Sequence, residues 1–486
     1  MNAALRILEW PVDADDVLPL ALWDAGRIAA ATGGVANAEF QASGVEIDSR
    51  DVTPGDLFFA LKGESMDGHR FIEAAFAKGA VAAVVDRPIE GPHVLVSDTS
   101  IALELLAKAA RNRTEARIIG VTGSVGKTGV KEAIFAALER SSRGAAHRSV
   151  KSYNNHVGVP LSLARMPARS KFAVFEMGMN HAGEIAGLTV QVRPDVAVIT
   201  TIAPAHIEML GSEEAIADAK AEIFGGLEPG GIAIIPADSP HYTRLKEAAE
   251  RYAGAVVSFG RAIHADVRLL DAVPAHNGGS LVTVDLGDRR MCFTIAAPGE
   301  HWVINSLAVM AAVRAVGGDL GAAGLALAEM EGLKGRGART EIAAADGGTA
   351  LLIDESYNAN PSSMRATLAQ LGATPAKRRI AVLGAMKELG EHGPAYHAEL
   401  VEPIRAAGID QLVLVGDEML ALAEELGKSG HDALGKQTSF GHCNSAQQAH
   451  EALLAIGLES GDAILVKGSN SVGLSALVAV LAGKEG

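Results

Sequence analysis

Short apolar runs that alternate with segments of helical periodicity extend along most of this chain. In its middle part such runs occur at residues 118–121, 173–175, 196–200 and 232–235. A short, wholly apolar run is typical of a strand buried on both faces, and strands that alternate with helices form parallel sheets. The pattern therefore predicts an α/β fold.

Residues 1–112 are predicted to form a small α/β domain, because three short apolar runs and one helical segment lie between residues 45 and 85. Ser49 and Arg50 lie there beside a polar loop that contains glycine. Such a pair is able to hold a diphosphate or a sugar, although it more often marks a solvated turn. The residues alone therefore give only a weak functional signal in this domain.

Residues 113–336 contain the glycine-rich segment TGSVGKT and are predicted to form a central domain of the phosphate-loop ATPase type, with a mostly parallel sheet. Residues 266–295 have shorter alternating runs, separated by Asn-Gly-Gly and Leu-Gly-Asp turns. Turns of this kind join neighbouring antiparallel strands, so we expect an antiparallel appendage to the sheet. A helix is expected at about residues 303–316.

Residues 337–486 are predicted to form a Rossmann-like, doubly wound domain, in which the alternation of strands and helices begins again. Strands are expected at residues 351–354, 380–383, 411–415 and 463–466. Ligands of such sheets bind beyond the carboxyl ends of the strands. We therefore expect this domain to contribute to a ligand site through the polar residues that follow its strands.

The segment TGSVGKT at residues 122–128 lies between a predicted strand and a predicted helix. In this context backbone N–H groups and a helix N-terminus hold phosphate oxygens, a lysine reaches the β- and γ-phosphates, and a threonine hydroxyl binds Mg²⁺. The spacing departs from the generic motif, because Val121 stands where that motif has its first glycine. The residues predicted to bind the phosphates of ATP are Gly123, Ser124, Val125, Gly126, Lys127 and Thr128.

Three residues near this loop are candidates for further chemistry. Glu176 and His206 each come just after a predicted strand, and Lys220 lies on the helix that follows. Each of them alone has an ordinary explanation, as a capping glutamate, a core histidine or a solvated lysine. Because all three belong to one phosphate-binding sheet, their combination favours a functional role.

The composition excludes several classes of function. The formal net charge is −15 and aromatic residues make up 4% of the chain, which argues against nucleic acid as a partner. No apolar segment reaches the 18 residues of a membrane span, and the N-terminus lacks the pattern of a signal peptide. Two distant cysteines, Cys292 and Cys443, fit a reducing compartment. We therefore expect a cytoplasmic protein that acts on small molecules; the oligomeric state stays open, with a monomer as the default.

Several segments along the chain have a recognisable pattern. They are TGSVGKT, YNNHVGVP (153–160), FEMGMNHAGEI (175–185), AHIEMLGS (205–212), AKAEIF (219–224), DESYNANP (354–361) and LVKGSNS (465–471), and the first domain adds the pattern SR…PGDLFFALKG…DGH. Together they resemble the Mur ligases, and the resemblance covers nearly the whole chain. The pattern of the first domain and the EMG-N-H-GEI residues are most similar to the member that joins D-Ala-D-Ala to UDP-N-acetylmuramoyl-tripeptide (UDP-MurNAc-tripeptide).

The resemblance implies ATP-dependent amide ligation that uses two Mg²⁺ ions. Thr128 and Glu176 are expected to hold one Mg²⁺, and His206 the other. Lys220 is expected to carry a carbamate formed from CO₂, and the adduct makes chemical sense because its oxygens are able to bind a hard cation whereas an ammonium is not. Lys127, Lys220, His206 and Glu176 are therefore the residues expected to carry the catalysis.

The resemblance also assigns substrate contacts. Asn305, Arg336 and Asp354 are expected to contact the nucleotide, and Ser49 and Arg50 the UDP group. The muramoyl peptide is expected at Asn154 and Asn155, and the incoming dipeptide at Asn358, Asn360 and Ser363.

Two positions depart from the family pattern, and some choices stay open. Trp302 and Ser152 stand where family members often have asparagine. The base that deprotonates the amine is either His181 or a carboxylate of the third domain, and the third residue of the tripeptide is either meso-diaminopimelate or lysine. Alternatives for the function are a sibling Mur enzyme, a folylpolyglutamate synthetase, or a phosphate-loop protein without ligase activity.

Overall fold

The computed structural model describes residues 21–63, 66–204, 207–275, 278–428 and 438–483. Its contacts divide the chain into two compact units. One contains residues up to 114 together with residues 160–168, and the other contains residues 115–159 and 169–486. Each unit combines α-helices with a mostly parallel β-sheet, which confirms the predicted α/β fold class.

The first unit contains a five-stranded sheet of order β2-β7-β6-β5-β4, in which only the β2–β7 pair is antiparallel, and the two-stranded ribbon β1–β3. Within this unit the indole N–H of Trp23 donates to the carbonyl of Ala164 at 2.8 Å, and the Arg165 Nε donates to the carbonyl of Val45 at 2.6 Å. Its elements are β1 (Trp23–Asp24), α1 (Ala25–Thr32), β2 (Val35–Ala36), β3 (Gln41–Ala42), β4 (Gly44–Glu46), β5 (Asp56–Phe59), α2 (Ile72–Ala77), β6 (Ala82–Val85), β7 (His93–Leu95) and α3 (Thr99–Asn112), with a 3₁₀ helix at Gly68–Phe71.

The second unit begins with a nine-stranded sheet of order β16-β15-β14-β13-β12-β11-β8-β10-β9. Strands β8 to β14 are parallel to their neighbours in the sheet, whereas β14–β15 and β15–β16 are antiparallel pairs. The elements along this part of the chain are β8 (Arg117–Thr122), α4 (Lys127–Ser142), β9 (Ala146–Arg148), β10 (Phe172–Glu176), α6 (Glu184–Val192), β11 (Val196–Ile199), α7 (Ile207–Leu210), α8 (Glu213–Ala221), β12 (Ile232–Pro236), α9 (Tyr242–Ala249), β13 (Ala255–Gly260), β14 (Val267–Pro274), β15 (Ser280–Asp285), β16 (Arg290–Ile295), α10 (Glu300–Ala315) and α11 (Leu320–Glu329), with a 3₁₀ helix at Glu222–Gly226. Between β9 and β10 lies α5 (Gly158–Ala164), most of which belongs to the first unit.

The core of this sheet lies under α4, α10 and α11. Wholly apolar residues of β8 and β11, such as Ile119 and Val198, are fully buried there against Val130 and Ile134 of α4 and Leu307 of α10. Burying a side chain of this size contributes about 1.5–3 kcal/mol relative to leaving it exposed. Because α4 is held along its length by this packing, its N-terminus is fixed at the carboxyl end of β8.

The rest of the second unit contains a six-stranded sheet of order β17-β18-β22-β19-β20-β21. The β17–β18 pair is antiparallel and the other pairs are parallel. The elements are β17 (Ala338–Ala343), β18 (Thr349–Glu355), α12 (Pro361–Ala373), β19 (Arg379–Gly384), α13 (Gly393–Ala398), α14 (Val401–Ala406), β20 (Gln411–Val415), α15 (Leu420–Lys428), β21 (Ser439–Cys443), α16 (Ala446–Ile456), β22 (Ala463–Lys467) and α17 (Leu474–Leu481), with 3₁₀ helices at Gly390–His392, Asp417–Met419 and Asn470–Val472.

The pattern of apolar residues correctly predicts the inner strands of the sheets but does not predict several of the edge strands. The antiparallel pairing predicted for residues 266–295 is present, and these strands continue the parallel sheet instead of forming a separate layer. Strands β9, β17 and β21 lie at sheet edges and are mostly exposed or half-buried, so their sequences carry no apolar run. Helix α4 begins at Lys127, three residues before its first apolar position, because its first turn is polar.

Candidate functional site

The phosphate loop of residues 123–126 has the backbone conformation that the glycines predict. Gly123 and Gly126 have φ values of +147° and +87°, a region that residues with a Cβ rarely occupy. A Cβ on Gly123 would also lie 2.0 Å from the Oγ1 of Thr200. Helix α4 follows Gly126, which has no side chain to cap it, so the first-turn N–H groups are left for a ligand.

Hydrogen bonds from the neighbouring strand end hold this loop in place. The backbone N–H of Ser124 donates to the carbonyl of Thr201 at 2.7 Å, and its hydroxyl donates to the carbonyl of Ala203 at 2.9 Å. The hydroxyl of Thr200 donates to the carbonyl of Val125 at 2.6 Å. Residues that follow β11 therefore hold the loop in a fixed conformation. This preorganisation reduces the free-energy cost of ordering the loop when an anion binds.

Lys127 folds back over its own loop. Its Nζ donates to the carbonyl of Gly123 at 2.7 Å. Burial lowers the pKa of its ammonium, and the positive charge of Arg336 lowers that pKa further, whereas the carboxylate of Glu176 opposes the shift. A cation held in this way is stabilised by a multiply charged anion in the loop, as the phosphates of a nucleotide would provide.

Glu176 is an acidic residue beside the loop and is fully buried at the end of β10. Its two carboxylate oxygens accept hydrogen bonds from the Thr128 hydroxyl and the Asn154 amide, each at 2.8 Å. The backbone N–H of Glu176 donates to the Ser149 hydroxyl at 3.2 Å. Carboxylate and hydroxyl oxygens are the ligands that Mg²⁺ prefers, so this donor set fits that ion.

Lys220 is a buried lysine that interacts electrostatically with Lys127. It lies near the end of α8, a helix that begins after the N-cap Ser212, and it is 1% exposed. Burial places the pKa of its amine well below the usual range, the charge of Lys127 lowers it further, and Glu222 opposes the shift. A neutral amine in this position is able to react with CO₂, whereas an ammonium is not. The other predicted metal ligand, His206, lies outside the described residues.

A cavity of about 240 Å³ adjoins the loop, and both sheets of the second unit contribute to its walls. The central domain contributes phosphate-loop residues, Glu176 and Asn305. The last part of the chain contributes the final residues of β18 and β22 and several residues that follow β18. Residues that the sequence predicts to contact the nucleotide and the peptide substrates are thereby brought together in one cavity. The predicted residues that line it are Ser124, Val125, Gly126, Lys127, Asn154, Glu176, Asn305, Arg336, Asn358, Asn360 and Ser363.

Other predicted site residues already have structural partners. The carboxylate of Asp354 accepts hydrogen bonds from the N–H of Gly335 at 2.8 Å and from the Ser356 hydroxyl at 2.6 Å. The Asn155 side chain accepts from the N–H of Gly158 at 2.9 Å, at the start of α5. These contacts shape the loops around the cavity.

Asn360 and Ser363 form a capping box at the start of α12. The Asn360 side chain accepts from the Ser363 N–H at 2.9 Å, and the Ser363 hydroxyl accepts from the Asn360 N–H at 3.0 Å. In the first unit, the side chain of Arg50 is 86% exposed and pairs with Asp48 at 2.6 Å, while Ser49 beside it is half-buried.

Among the cavity-wall residues that have no role in the sequence-based assignment, five have aromatic or ionisable side chains. Glu355 and Lys467 are the last residues of β18 and β22. A charged residue at the end of an apolar strand is a pattern that can be recognised in the sequence. Burial lowers the pKa of the His301 imidazole to about 4, with a further contribution from the charge of Lys467, so this ring is neutral at pH 7. The five residues are His301, Trp302, Glu355, Tyr357 and Lys467.

Arg336 lies across the cavity from the phosphate loop. Its guanidinium stacks on the Tyr357 ring at 4.2 Å and donates to the Ser152 hydroxyl at 3.4 Å. Gly335 and Gly337 on either side have φ values of +73° and +92°, which allow the chain to turn there between its two sheets. Within the residues that the structure describes, no three His, Cys, Asp or Glu side chains form a metal-binding group, and no helix is long and apolar enough to cross a membrane.

Comparisons with known proteins agree with this geometry. Three family models match the chain: the catalytic domain of the Mur ligase family at residues 41–115, the Mur ligase middle domain at residues 121–313, and the Mur ligase glutamate ligase domain at residues 338–470. The UDP-N-acetylmuramoyl-tripeptide–D-alanyl-D-alanine ligase of Synechocystis sp. is 39% identical over 444 residues, covering 89% of this chain and 90% of that protein.

Solved structures give the same result. A crystal structure of MurF from Acinetobacter baumannii has a TM-score of 0.80 and 30% identity, and covers 96% of this chain and all of that one. MurF ligase from Thermotoga maritima in complex with ADP has a TM-score of 0.73 and 26% identity, covering 91% of this chain and 97% of that one. From its family-model matches and from its identity to the Synechocystis ligase, this chain belongs to the Mur ligase family.

Proposed function

We propose that this protein is an ATP-dependent ligase that joins D-Ala-D-Ala to UDP-MurNAc-tripeptide and forms the UDP-MurNAc-pentapeptide, ADP and phosphate. The observation that carries the proposal is the cavity in which a phosphate loop faces polar residues of a second α/β sheet. The identity of 39% to a ligase with this named activity supports the choice of substrates.

In the first step the terminal carboxylate of the tripeptide attacks the γ-phosphorus of ATP. The new P–O bond forms as the bond to the β-phosphate oxygen breaks, which gives an acyl phosphate and ADP. A carboxylate that approaches a triphosphate is repelled by its charge, so positive groups must neutralise both reactants. Lys127 and the N–H groups at the start of α4 supply that neutralisation from the protein.

Thr128 and Glu176 would hold one Mg²⁺, and His206 and a carbamate on Lys220 would hold a second. When bound, these ions neutralise charge on the phosphate oxygens. The burial of Glu176 and its neutral hydrogen-bond partners, Thr128 and Asn154, support the first of these sites. The lowered pKa of the Lys220 amine supports the carbamate, because only the neutral amine reacts with CO₂.

In the second step the amine of D-Ala-D-Ala attacks the activated carbonyl. A tetrahedral intermediate forms, the C–O bond to phosphate breaks, and the amine loses a proton. Glu355 is the third-domain carboxylate that lines the cavity, so we favour it as the base over His181, whose side chain is 63% exposed and pairs with Glu184 at 3.1 Å. Closure of the third domain on the central one would exclude water from the acyl phosphate.

We assign the rest of the site by resemblance to the family. Asn305, Arg336 and Asp354 would contact the nucleotide, and Ser49 with Arg50 the UDP group. In this proposal residues 1–112 bind the muramoyl peptide, residues 113–336 bind ATP, and residues 337–486 contribute dipeptide and nucleotide contacts. Asn154 and Asn155 would face the peptide, and Asn358, Asn360 and Ser363 the dipeptide.

The proposal also includes the setting of the reaction. We propose a monomer that acts in the cytoplasm, where ATP is available. Cys292 and Cys443 are both free thiols, which is consistent with a reducing compartment.

A substrate matrix tests the function. ADP and phosphate release is measured with ATP, a UDP-MurNAc-tripeptide ending in meso-diaminopimelate or in lysine, and D-Ala-D-Ala, each present or absent, with product masses recorded. We expect release that requires both peptide substrates and a product heavier by the dipeptide residue mass. Addition of single amino acids in place of the dipeptide would favour a sibling Mur enzyme or a folylpolyglutamate synthetase. ATP hydrolysis that ignores both peptide substrates would favour a phosphate-loop protein that is not a ligase.

A further inference from the structure

Lys467 is a buried cation at the carboxyl edge of the six-stranded sheet. It ends β22, a central strand, and pairs in register with Glu355 at the end of β18. The residue is 2% exposed, yet it lines the cavity that faces the phosphate loop. A lysine is rarely buried to this extent unless it has an anionic partner.

The ammonium of Lys467 has fewer hydrogen-bond acceptors among the described residues than it has N–H donors. Nζ donates to the carbonyl of Asn358 at 3.0 Å, and the Glu355 carboxylate lies 3.4 Å away. An ammonium has three N–H donors, so these two acceptors do not use its full capacity. Burial lowers its pKa and the charge of Arg336 lowers it further, while Glu355 opposes the shift; a second anion would therefore stabilise the charged form.

The acceptor dipeptide brings such an anion into the cavity. D-Ala-D-Ala is a zwitterion, and its C-terminal carboxylate takes no part in bond formation, so this group needs a cation wherever the cavity excludes water. Among the described residues that line the cavity, the cationic side chains are Lys127, Arg336 and Lys467, since His301 is neutral. Lys127 belongs to the phosphate loop and Arg336 stacks on Tyr357.

We propose that Lys467 binds the C-terminal carboxylate of the incoming dipeptide and thereby selects acceptors that carry a carboxylate. This inference rests on the proposed function and adds to it the residue that recognises the second substrate. The short distance between Lys467 and Glu355 suits a zwitterion, because the amine end of the dipeptide is then attracted to Glu355. Neither Asn358, Asn360 nor Ser363 supplies a charge for this purpose.

The first test uses the unmodified protein with two acceptors, D-Ala-D-Ala and its C-terminal amide, which has no negative charge. We expect the KM for the amide to be about 10- to 100-fold higher, the range typical of a hydrogen bond to a charged group. Equal KM values for the two acceptors would overturn the proposal. A protein that makes no product with D-Ala-D-Ala at all would overturn the proposed function as well.

The second test compares Lys467→Met and Lys467→Gln with Lys377→Met, a matched control at an exposed lysine near the amino end of β19 that pairs with Glu459 at 2.6 Å. Both Lys467 variants should raise the KM for D-Ala-D-Ala by about 10- to 100-fold and leave the KM for ATP unchanged. With the amide acceptor, their kcat/KM should equal that of the unmodified protein. An equal loss with both acceptors would overturn the proposal and assign Lys467 to the phosphate or the tetrahedral intermediate.

Discussion

The indole ring of Trp302 lies directly against the backbone of Gly129. A Cβ built on Gly129 would lie 2.9 Å from Cη2 and 3.0 Å from Cζ2 of the indole. Gly129 occupies the first turn of α4, next to Thr128, and Trp302 is 7% exposed in α10 beside Asn305. This contact therefore packs the helix that follows the phosphate loop against the helix that carries Asn305, a residue expected to contact the nucleotide.

The first prediction concerns Gly129→Ala. Alanine favours a helix over glycine by about 1 kcal/mol, but the added methyl group overpacks against the indole, which costs about 1–3 kcal/mol. We therefore expect a lower melting temperature and a higher KM for ATP. In a Trp302→Ala background the same substitution should instead raise the melting temperature, because the clash is gone.

Gly187→Ala is the matched control for this prediction. Gly187 lies inside helix α6 and is exposed, and a Cβ added to it would have no heavy atom of a non-neighbouring residue within 4 Å. Alanine there should stabilise the protein by about 0.5–1 kcal/mol through helix propensity alone. If Gly129→Ala stabilises the protein as much as Gly187→Ala does, the packing of Trp302 is not the constraint on that position.

The second prediction concerns Lys127→Met. The substitution removes the cation that neutralises the γ-phosphate in the transition state, so turnover should fall by about 10²- to 10³-fold or more. ADP formation with both peptide substrates present measures the effect. Lys246→Met, at a half-exposed lysine of α9, should have unchanged turnover. Near-normal turnover of the Lys127 variant would remove the phosphate loop from the mechanism.

The third prediction concerns Glu176→Gln and Mg²⁺. The amide retains one hydrogen-bonding oxygen for Thr128 or Asn154 but loses the charge that attracts a divalent cation. We expect a chelator to abolish activity of the unmodified protein, Mg²⁺ to restore it, and the variant to need a much higher Mg²⁺ concentration for half-maximal turnover. An unchanged Mg²⁺ dependence in the variant would show that the ion binds elsewhere.

The fourth prediction concerns Lys220. Lys220→Ala should have very low activity that short carboxylic acids partly restore, because a small carboxylate is able to occupy the space of the carbamate. Lys220→Arg should be inactive and not rescued, since a guanidinium does not form the carbamate and fills the space. The unmodified protein should lose activity in CO₂-free buffer and regain it with bicarbonate. Full activity of Lys220→Arg would argue against the carbamate.

The inner strands, the glycine loop and the site at the carboxyl ends of the strands are all predictable from the sequence. They follow from local rules: Ile119 and Val121 are buried because their strand is covered on both faces, and Gly123 and Gly126 adopt backbone conformations that suit glycine. Glu176 at the end of β10 follows from the same logic, because parallel strands end at one edge of their sheet.

The remaining features depend on contacts between distant parts of the chain. Gly129 and Trp302 are in contact although they are far apart in the sequence, and neither residue by itself predicts that contact. The cluster of Lys467 with Glu355 requires the strand order, in which β22 lies between β18 and β19. The periodicity of apolar residues does not predict the order of strands in a sheet. The sequence therefore identifies the polar residues at the strand ends but does not predict that Lys467 and Glu355 are in contact.

The central claim is that a carboxylate of the peptide substrate is phosphorylated by ATP before an amine captures it. The most direct measurement uses UDP-MurNAc-tripeptide labelled with ¹⁸O in its terminal carboxylate, together with ATP and D-Ala-D-Ala. The account predicts that the released inorganic phosphate carries one ¹⁸O atom, because the attacking carboxylate oxygen leaves with phosphorus when the amide forms. Unlabelled phosphate, formed alongside the pentapeptide, would contradict it.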